Sequence, residues 1–211
     1  INTALPFSLF AYASLESSSN MLSILNGTTA IMAVVISTIW LKIRLNFFQI
    51  MGVFIGLFGI VVLANPDNVY ISMKATIFCL SAAFCYALSA NYIQKFAYKT
   101  NTIVLIGWSL VIASVLLLPI TFFNLPSQLP SNNVIFSILW LGVISTGVAF
   151  LGYVRLIEKV GAVKTATVAY FIPVFGVIWG YVFLGEPITL QILIGMILIL
   201  IGIVFTNKRY D

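Results

Sequence analysis

The 211-residue chain has no histidine, only two cysteines and only 7% charged residues. Without histidine, and with Cys79 and Cys85 in one apolar run, the sequence favours neither a metal or haem site nor a disulfide framework. Soluble domains are about one quarter charged. A chain with so little charge could not cover its surface in water, so the sequence predicts a protein surrounded mainly by lipid, with no metal and no cofactor.

Other function classes are disfavoured by what is missing. The net charge of +5 comes from basic residues that fall singly or in pairs between apolar runs, which is not the pattern of a nucleic-acid-binding surface. No Gly-x-x-x-x-Gly-Lys-Ser/Thr loop is present, which argues against an ATPase. A membrane-embedded lipid enzyme would need nucleophiles or acid–base pairs inside the bundle, and the sequence offers none, so we predict that the protein is not an enzyme.

What the chain does have is apolar runs, with 62% hydrophobic residues and a mean hydropathy of +1.14. Crossing a bilayer takes roughly 17–25 apolar residues in a helix, and backbone groups in lipid must be paired internally. The ten-residue alternation of a membrane barrel is absent. The sequence predicts an all-α membrane protein with about eight transmembrane helices, at 2–16, 18–40, 47–64, 72–94, 102–123, 134–154, 160–183 and 188–206.

The basic residues predict the orientation of these helices. With eight spans, Lys74 alone falls on one side of the membrane. The other nine basic residues fall on the opposite side: Lys42, Arg44, Lys95, Lys99, Arg155, Lys159, Lys164, Lys208 and Arg209. Because cytoplasmic loops carry an excess of Lys and Arg, the sequence predicts a multi-pass protein of the cell (inner) membrane whose C-terminus is cytoplasmic.

The chain also repeats itself at an offset of 143 residues. Small and polar residues occur at helical spacing on one face of the second span, at Ser19, Ser23, Asn26, Ala30, Ala33 and Ser37. The positions 143 residues later are Ala162, Ala166, Ala169, Pro173, Gly176 and Gly180, again small residues or proline. The offset covers five helices, an odd number, so the two copies should have opposite orientations in the membrane. Such inverted repeats are common in transporters.

The two copies predict the domain organisation. Residues 71–207 form a complete copy of five helices. The first two helices of this copy come before Ile144, the residue that corresponds to Ile1 at the offset of 143. Residues 1–65 then form a partial copy of three helices. We expect a bundle of five plus five helices whose first two helices are missing from this chain.

Two segments resemble a known family. Residues 161–191, GAVKTATVAYFIPVFGVIWGYVFLGEPITLQ, and residues 23–45, SILNGTTAIMAVVISTIWLKIRL, resemble the ninth and fourth helices of the drug/metabolite transporter superfamily, in particular its EamA-type permeases. Two positions depart from that pattern, because Ala30 stands where a proline is usual and Ile43 where an acidic residue is usual. The resemblance implies a ten-helix permease for a small solute.

The small-residue faces supply the candidate solute site. An amide in hydrocarbon needs hydrogen-bond partners, so Asn26 should face protein or water. Either reading of these faces stays open: they line a solute cavity, or they serve close helix packing and interhelical hydrogen bonds. Pro173 is either a hinge in its helix or a tolerated proline. The candidate cavity residues are Ser19, Ser23, Asn26, Thr29, Thr167, Ala169, Tyr170 and Pro173.

Glu186 precedes Pro187 at the predicted start of the last helix, where a carboxylate and a proline both suit a first turn. We therefore predict that Glu186 caps that helix. The leading hypothesis is a permease that exports a metabolite or drug-like solute by alternating access, with the lipid bilayer and a second copy of the chain as expected partners. The alternatives are an inactive fragment or a membrane scaffold. The sequence specifies no substrate and no coupling ion.

Overall fold

The computed structural model of the chain describes residues 2–40, 42, 44–63, 72–96, 101–123, 125, 128–152 and 171–206. These residues are largely helical, and none of them lies in a β-strand. The α-helices are α1 (Ala4–Ala13), α2 (Ser19–Gly27), α3 (Thr29–Trp40), α4 (Phe47–Leu63), α5 (Met73–Phe96), α6 (Thr102–Phe123), α7 (Asn132–Leu139), α8 (Phe171–Leu184) and α9 (Leu190–Thr206). The predicted class, an all-α membrane protein, is confirmed.

Four helical stretches in the described ranges are long and apolar enough to cross a membrane, namely Ser19–Trp40, Met73–Ile93, Ile103–Phe123 and Asn132–Gly152. Helices α1, α4, α8 and α9 are apolar and 10–17 residues long. The bounds of α6 coincide with the predicted span 102–123. The predicted spans 160–183 and 134–154 lie partly outside the described residues.

The second predicted span is not one uninterrupted helix. Helix α2 begins after Ser18, whose hydroxyl accepts the Met21 N–H at 3.4 Å, and it ends at Gly27. Thr28 separates α2 from α3, and its hydroxyl donates to the Leu25 carbonyl at 2.6 Å. A threonine hydroxyl that bonds a preceding carbonyl competes with the helical pattern, which accounts for an interruption that apolar content alone does not reveal.

The chain divides into two compact units, one formed by residues 1–98 and 168–211 and the other by residues 99–167. In the first unit, α2 lies at the centre and packs against α5, α8 and α9. Its Ile24 and Leu25 are buried together with Val177 of α8, Cys79 of α5 and Ile203 of α9. The apolar core therefore forms around a helix that also carries polar residues.

Helices α4 and α9 form the closest helix pair of this unit, and glycines make the contact. A Cβ atom on Gly52 would lie 2.6 Å from the Thr206 backbone nitrogen, and one on Gly202 would lie 2.7 Å from the Gly56 nitrogen. One on Gly59 would lie 2.9 Å from Ile199. Only glycine permits such close approach of two backbones. The pairing of an early residue of α4 with the last residue of α9 shows that the helices run antiparallel.

Two glutamines join this helix pair at its opposite ends. The Gln49 side-chain amide of α4 donates to the Thr206 carbonyl at the end of α9, at 3.1 Å. The Gln191 amide of α9 donates to the Val62 carbonyl near the end of α4, at 2.6 Å. The last carbonyls of a helix lack hydrogen-bond partners within the helix. Each glutamine donates a hydrogen bond to one of these carbonyls, which lipid tails cannot do.

The second unit contains α6 and α7, with Pro119 inside α6. Helix α7 continues as a π-helix over Trp140–Val148, where the Thr146 hydroxyl donates to the Leu141 carbonyl five residues earlier at 2.9 Å. The side chains of Asn132–Gly152 are not buried within the unit and are mostly apolar. Such surfaces suit contact with lipid rather than water.

Candidate functional site

Helices α2 and α8 cross in direct contact along one stripe of small residues. A Cβ atom on Gly27 would lie 2.8 Å from the Pro173 ring, and one on Gly176 would overlap the Ser23 side chain. One turn further along α8, a Cβ on Gly180 would lie 2.9 Å from Cγ of Asn20. Residues 20, 23 and 27 thus face residues 180, 176 and 173, which makes the two helices antiparallel.

Glu186 lies at one end of this stripe because the chain turns at Gly185. Gly185 has a φ of 64°, a left-handed conformation that favours glycine, and the Glu186 N–H donates to the Gly180 carbonyl at 3.1 Å. The Glu186 carboxylate then accepts the backbone N–H groups of Ser19 at 2.6 Å and of Asn20 at 2.8 Å.

The predicted partner of Glu186 was therefore wrong, although the predicted chemistry was right. The carboxylate caps a helix N-terminus, but that helix is α2 rather than α9. A carboxylate at the first unpaired N–H groups of a helix also interacts favourably with the helix dipole. The sequence could not reveal this partner, because the bond joins residues 167 positions apart.

Asn20 is the most unusual polar residue at this contact. Its side chain is 1% exposed, and neither its amide nitrogen nor its amide oxygen has a hydrogen-bond partner. An unpaired buried amide costs on the order of 1–3 kcal/mol, and native structures contain few such groups. Asn20 was not among the predicted site residues. Its signal in the sequence was its spacing, three residues before Ser23 and seven before Gly27.

Asn26 and Thr29 lie near the end of α2. Both are half-buried, and the Thr29 hydroxyl donates to the Asn26 side-chain oxygen at 3.4 Å. Asn26 is therefore neither lipid-facing throughout nor enclosed by the core. The two residues lie on either side of Thr28, where α2 ends and α3 begins.

The structure brings together three of the eight predicted site residues. Ser19, Ser23 and Pro173 lie at the α2–α8 contact, where Pro173 is buried. The Ser23 hydroxyl donates to the Ser19 carbonyl at 2.8 Å. Thr167, Ala169 and Tyr170 lie outside the described residues. In the described part, the two small-residue faces therefore touch each other directly.

Charged residues mark the two ends of the first unit. At the end where α2 begins, Lys74 forms an ion pair with Glu16 at 2.6 Å, and Ser72 donates to the same carboxylate. The hydrogen bond from Lys74, followed by that from Ser72, lowers the pKa of Glu16. At the other end of α5, Lys95 lies over the Trp40 ring, 5.4 Å from its centroid. Among the described residues, no group of His, Cys, Asp or Glu is placed to hold a metal ion.

An interrupted span, glycine-mediated helix crossings and exposed apolar helices of spanning length are features of multi-pass membrane transporters. The sequence pattern of the EamA-like transporter family matches residues 1–65 and 73–208. The chain belongs to this family, and it is a transporter-family protein rather than an enzyme.

Several relatives of the chain are transporters by name. An uncharacterized transporter of Archaeoglobus fulgidus is 29% identical over 91% of this chain and 69% of its own length. The uncharacterized transporter YoaV of Bacillus subtilis is 29% identical over 90% of this chain and 66% of its own length. The uncharacterized transporter YvbV of the same organism is 26% identical, and this chain covers 58% of it. No solved structure matches the chain.

Proposed function

We propose that the protein is a permease that moves a small metabolite or drug-like solute across the cell membrane by alternating access, with export as its direction. The family and the named relatives support a membrane transporter. The mechanism is our inference from the helix contacts of the first unit.

The observation that carries the mechanism is the symmetry of the α4–α9 contact. Helix α9 (Leu190–Thr206) occupies the positions 143 residues after α4 (Phe47–Leu63). At this offset Gly52 corresponds to Gly195 and Leu63 to Thr206. Gly52 contacts Thr206, and Gly195 contacts Leu63, so this pair of contacts is unchanged when the two copies are exchanged.

A second pair of contacts obeys the same rule. Gly59 contacts Ile199, and Gly202 contacts Gly56, which are again equivalent pairs at the offset of 143. An antiparallel pair of equivalent helices is related by a two-fold axis perpendicular to both helices. For helices that cross a membrane, such an axis lies in the membrane plane, as in inverted-repeat transporters. This supports two inverted halves that rock against each other.

The solute site would lie between these halves, near the interruption at Thr28. Half-buried Asn26 and Thr29 offer an amide and a hydroxyl there, and Ala169 and Tyr170 are proposed to contribute from the other copy. A polar solute could replace water on these groups without entering the apolar core.

Transport by variants tests the site. We expect Asn26→Leu and Ala169→Phe each to reduce solute uptake or efflux at least tenfold, because the first removes hydrogen-bonding atoms and the second fills space. The measurement is flux of a metabolite mixture in vesicles that contain the protein.

The control is Asn133→Leu, the same chemical change at an exposed position of α7. It should transport like the unmodified protein, with equal expression for all variants. Normal flux in both site variants would reject the assignment of these residues, and absence of flux for any solute in the unmodified protein would favour an inactive fragment or scaffold.

The orientation has its own test. The excess of Lys and Arg on one side predicts that a cysteine at Asn132 reacts with a membrane-impermeant thiol reagent added outside intact cells. A cysteine at Lys99, a position outside the described residues, should react only after the cells are permeabilised. The reverse pattern would place the C-terminus outside.

A further inference from the structure

Three groups meet where α2 begins, and together they differ from ordinary helix packing. They are the Glu186 carboxylate, the buried Asn20 amide and the bare backbone of Gly180, which we call the Glu186–Asn20 cluster. Gly180 lies between the other two, since a Cβ there would lie 2.8 Å from the Glu186 carboxylate oxygen and would overlap the Asn20 amide. Each group therefore makes its contact only while α2 and the end of α8 stay together.

The groups of the cluster affect this closed contact in opposite directions. Glu186 favours it, because two N–H groups donate to one carboxylate and hydrogen bonds to charged groups are stronger than neutral ones. Asn20 disfavours it, because its amide is buried without a partner and would gain hydrogen bonds from water or solute if the helices separated. Opposed contributions of this kind are suited to a contact that opens and closes.

The corresponding positions of the other copy do not carry the same groups. At the offset of 143, Glu186 corresponds to Ile43 and Gly180 to Ser37, while Asn20 corresponds to Val163. A two-fold related cluster at the opposite end of the helices would lack the carboxylate and the amide. By sequence, the carboxylate and the amide of the cluster therefore occur in only one of the two copies.

We propose that the Glu186–Asn20 cluster is the gate of the solute path at this end of the protein. Glu186 acts as a positioning residue that keeps α2 against α8, and Asn20 is the first side chain that a solute with both a hydrogen-bond donor and an acceptor meets when the gate opens. Because the equivalent sequence positions of the other copy lack these groups, we infer that the resting protein is closed at the Glu16–Lys74 end. The proposal rests on the permease function and adds to it a resting conformation.

Accessibility of a cysteine at Ser23 tests the gate. Ser23→Cys is nearly isosteric, and residue 23 touches Gly176 one turn inside the cluster. The probe is a small, membrane-impermeant thiosulfonate. Labelling of the protein without Ser23→Cys measures the background reaction of Cys79 and Cys85, and this background is subtracted. We expect Glu186→Gln to raise the labelling rate about tenfold, since the amide nitrogen cannot accept an N–H.

The second variant has the opposite expected sign. Asn20→Ala removes the unpaired amide from the closed contact, so we expect labelling at residue 23 to slow about threefold. If both groups served only packing, both variants would loosen the contact and speed labelling together. Glu16→Gln is the matched control, because it makes the same chemical change in an exposed carboxylate at the same end, and it should leave the rate unchanged.

Labelling does not depend on transport, so failure of the gate can be distinguished from failure of the permease. The expected opposite shifts without any detectable flux would show that Glu186 and Asn20 act in opposite directions on a contact that opens, but would reject the permease and with it the role of this contact as a gate. Normal flux with labelling unaffected by Glu186→Gln would reject the gate and leave the permease standing. If Glu186→Gln does not fold, the test rests on Asn20→Ala alone. Slower labelling at residue 23 in that variant supports the gate, and faster or unchanged labelling overturns the proposal.

Discussion

Replacing Gly202 by leucine is expected to separate α4 from α9 and to lower the apparent melting temperature in detergent by roughly 10 °C. A Cβ at this position would lie 2.7 Å from the Gly56 nitrogen and 2.8 Å from the Gly52 carbonyl oxygen. These atoms belong to the backbone and cannot rotate away, so the helices themselves must move. The movement would also break the bond from Gln49 to the Thr206 carbonyl, which lies next to the contact.

The matched control for this prediction is Gly107→Leu. Gly107 lies inside α6, where a Cβ would meet no atom within 4 Å of those described. Leucine favours a helix over glycine by somewhat less than 1 kcal/mol, so this variant should be at least as stable as the unmodified protein. The melting temperatures of both variants are measured by heating detergent-solubilised protein and following the loss of its size-exclusion peak. Equal melting of the two variants would show that the α4–α9 contact does not stabilise the protein.

The second large effect is expected where α2 meets α8. Gly176→Ser should destabilise the protein by about 2 kcal/mol, because the new side chain overlaps Ser23. Ser23→Gly should cost on the order of 1 kcal/mol through the lower helix propensity of glycine. The double variant exchanges the two residues and restores one side chain and one glycine at the contact, so it should be more stable than Gly176→Ser alone.

A double-mutant cycle measures this exchange. We expect a coupling free energy of at least about 1 kcal/mol between residues 23 and 176, since residues in direct contact do not behave additively. The cycle uses the same thermal assay on four proteins in one detergent. Additive effects would mean that the two residues do not touch in the membrane-extracted protein, and the proposed crossing of α2 and α8 would then be incorrect.

The fold class was predictable from sequence because lipid imposes it. Apolar runs of spanning length must be helical when no water can pair their backbone groups, and α6 begins and ends where its run does. The interruption at Thr28 and the π-helix at Trp140–Val148 were not predicted, because each depends on local hydrogen bonds that the overall apolar content of its run does not reveal.

The candidate site was predictable only in part. Helical spacing identified Ser19, Ser23 and Pro173 as members of two faces, and the structure brings these faces together. The same spacing placed Asn20 near this face, but the sequence could not show that α8 would bury its amide without a hydrogen-bond partner. The partner of Glu186 could not be predicted for a similar reason, because a hydrogen bond between residues 167 positions apart leaves no local pattern in the sequence.

The α4–α9 pair also has a consequence for synthesis in the cell. Gln191 bonds to Val62 across 129 residues of chain, and at about 5–20 residues per second the ribosome needs on the order of ten seconds to make that stretch. During this interval α4 is already in the membrane with a bare glycine surface and an end carbonyl that has no partner. We therefore expect nascent α4 to remain beside the insertion machinery, and to leave it only when α9 emerges.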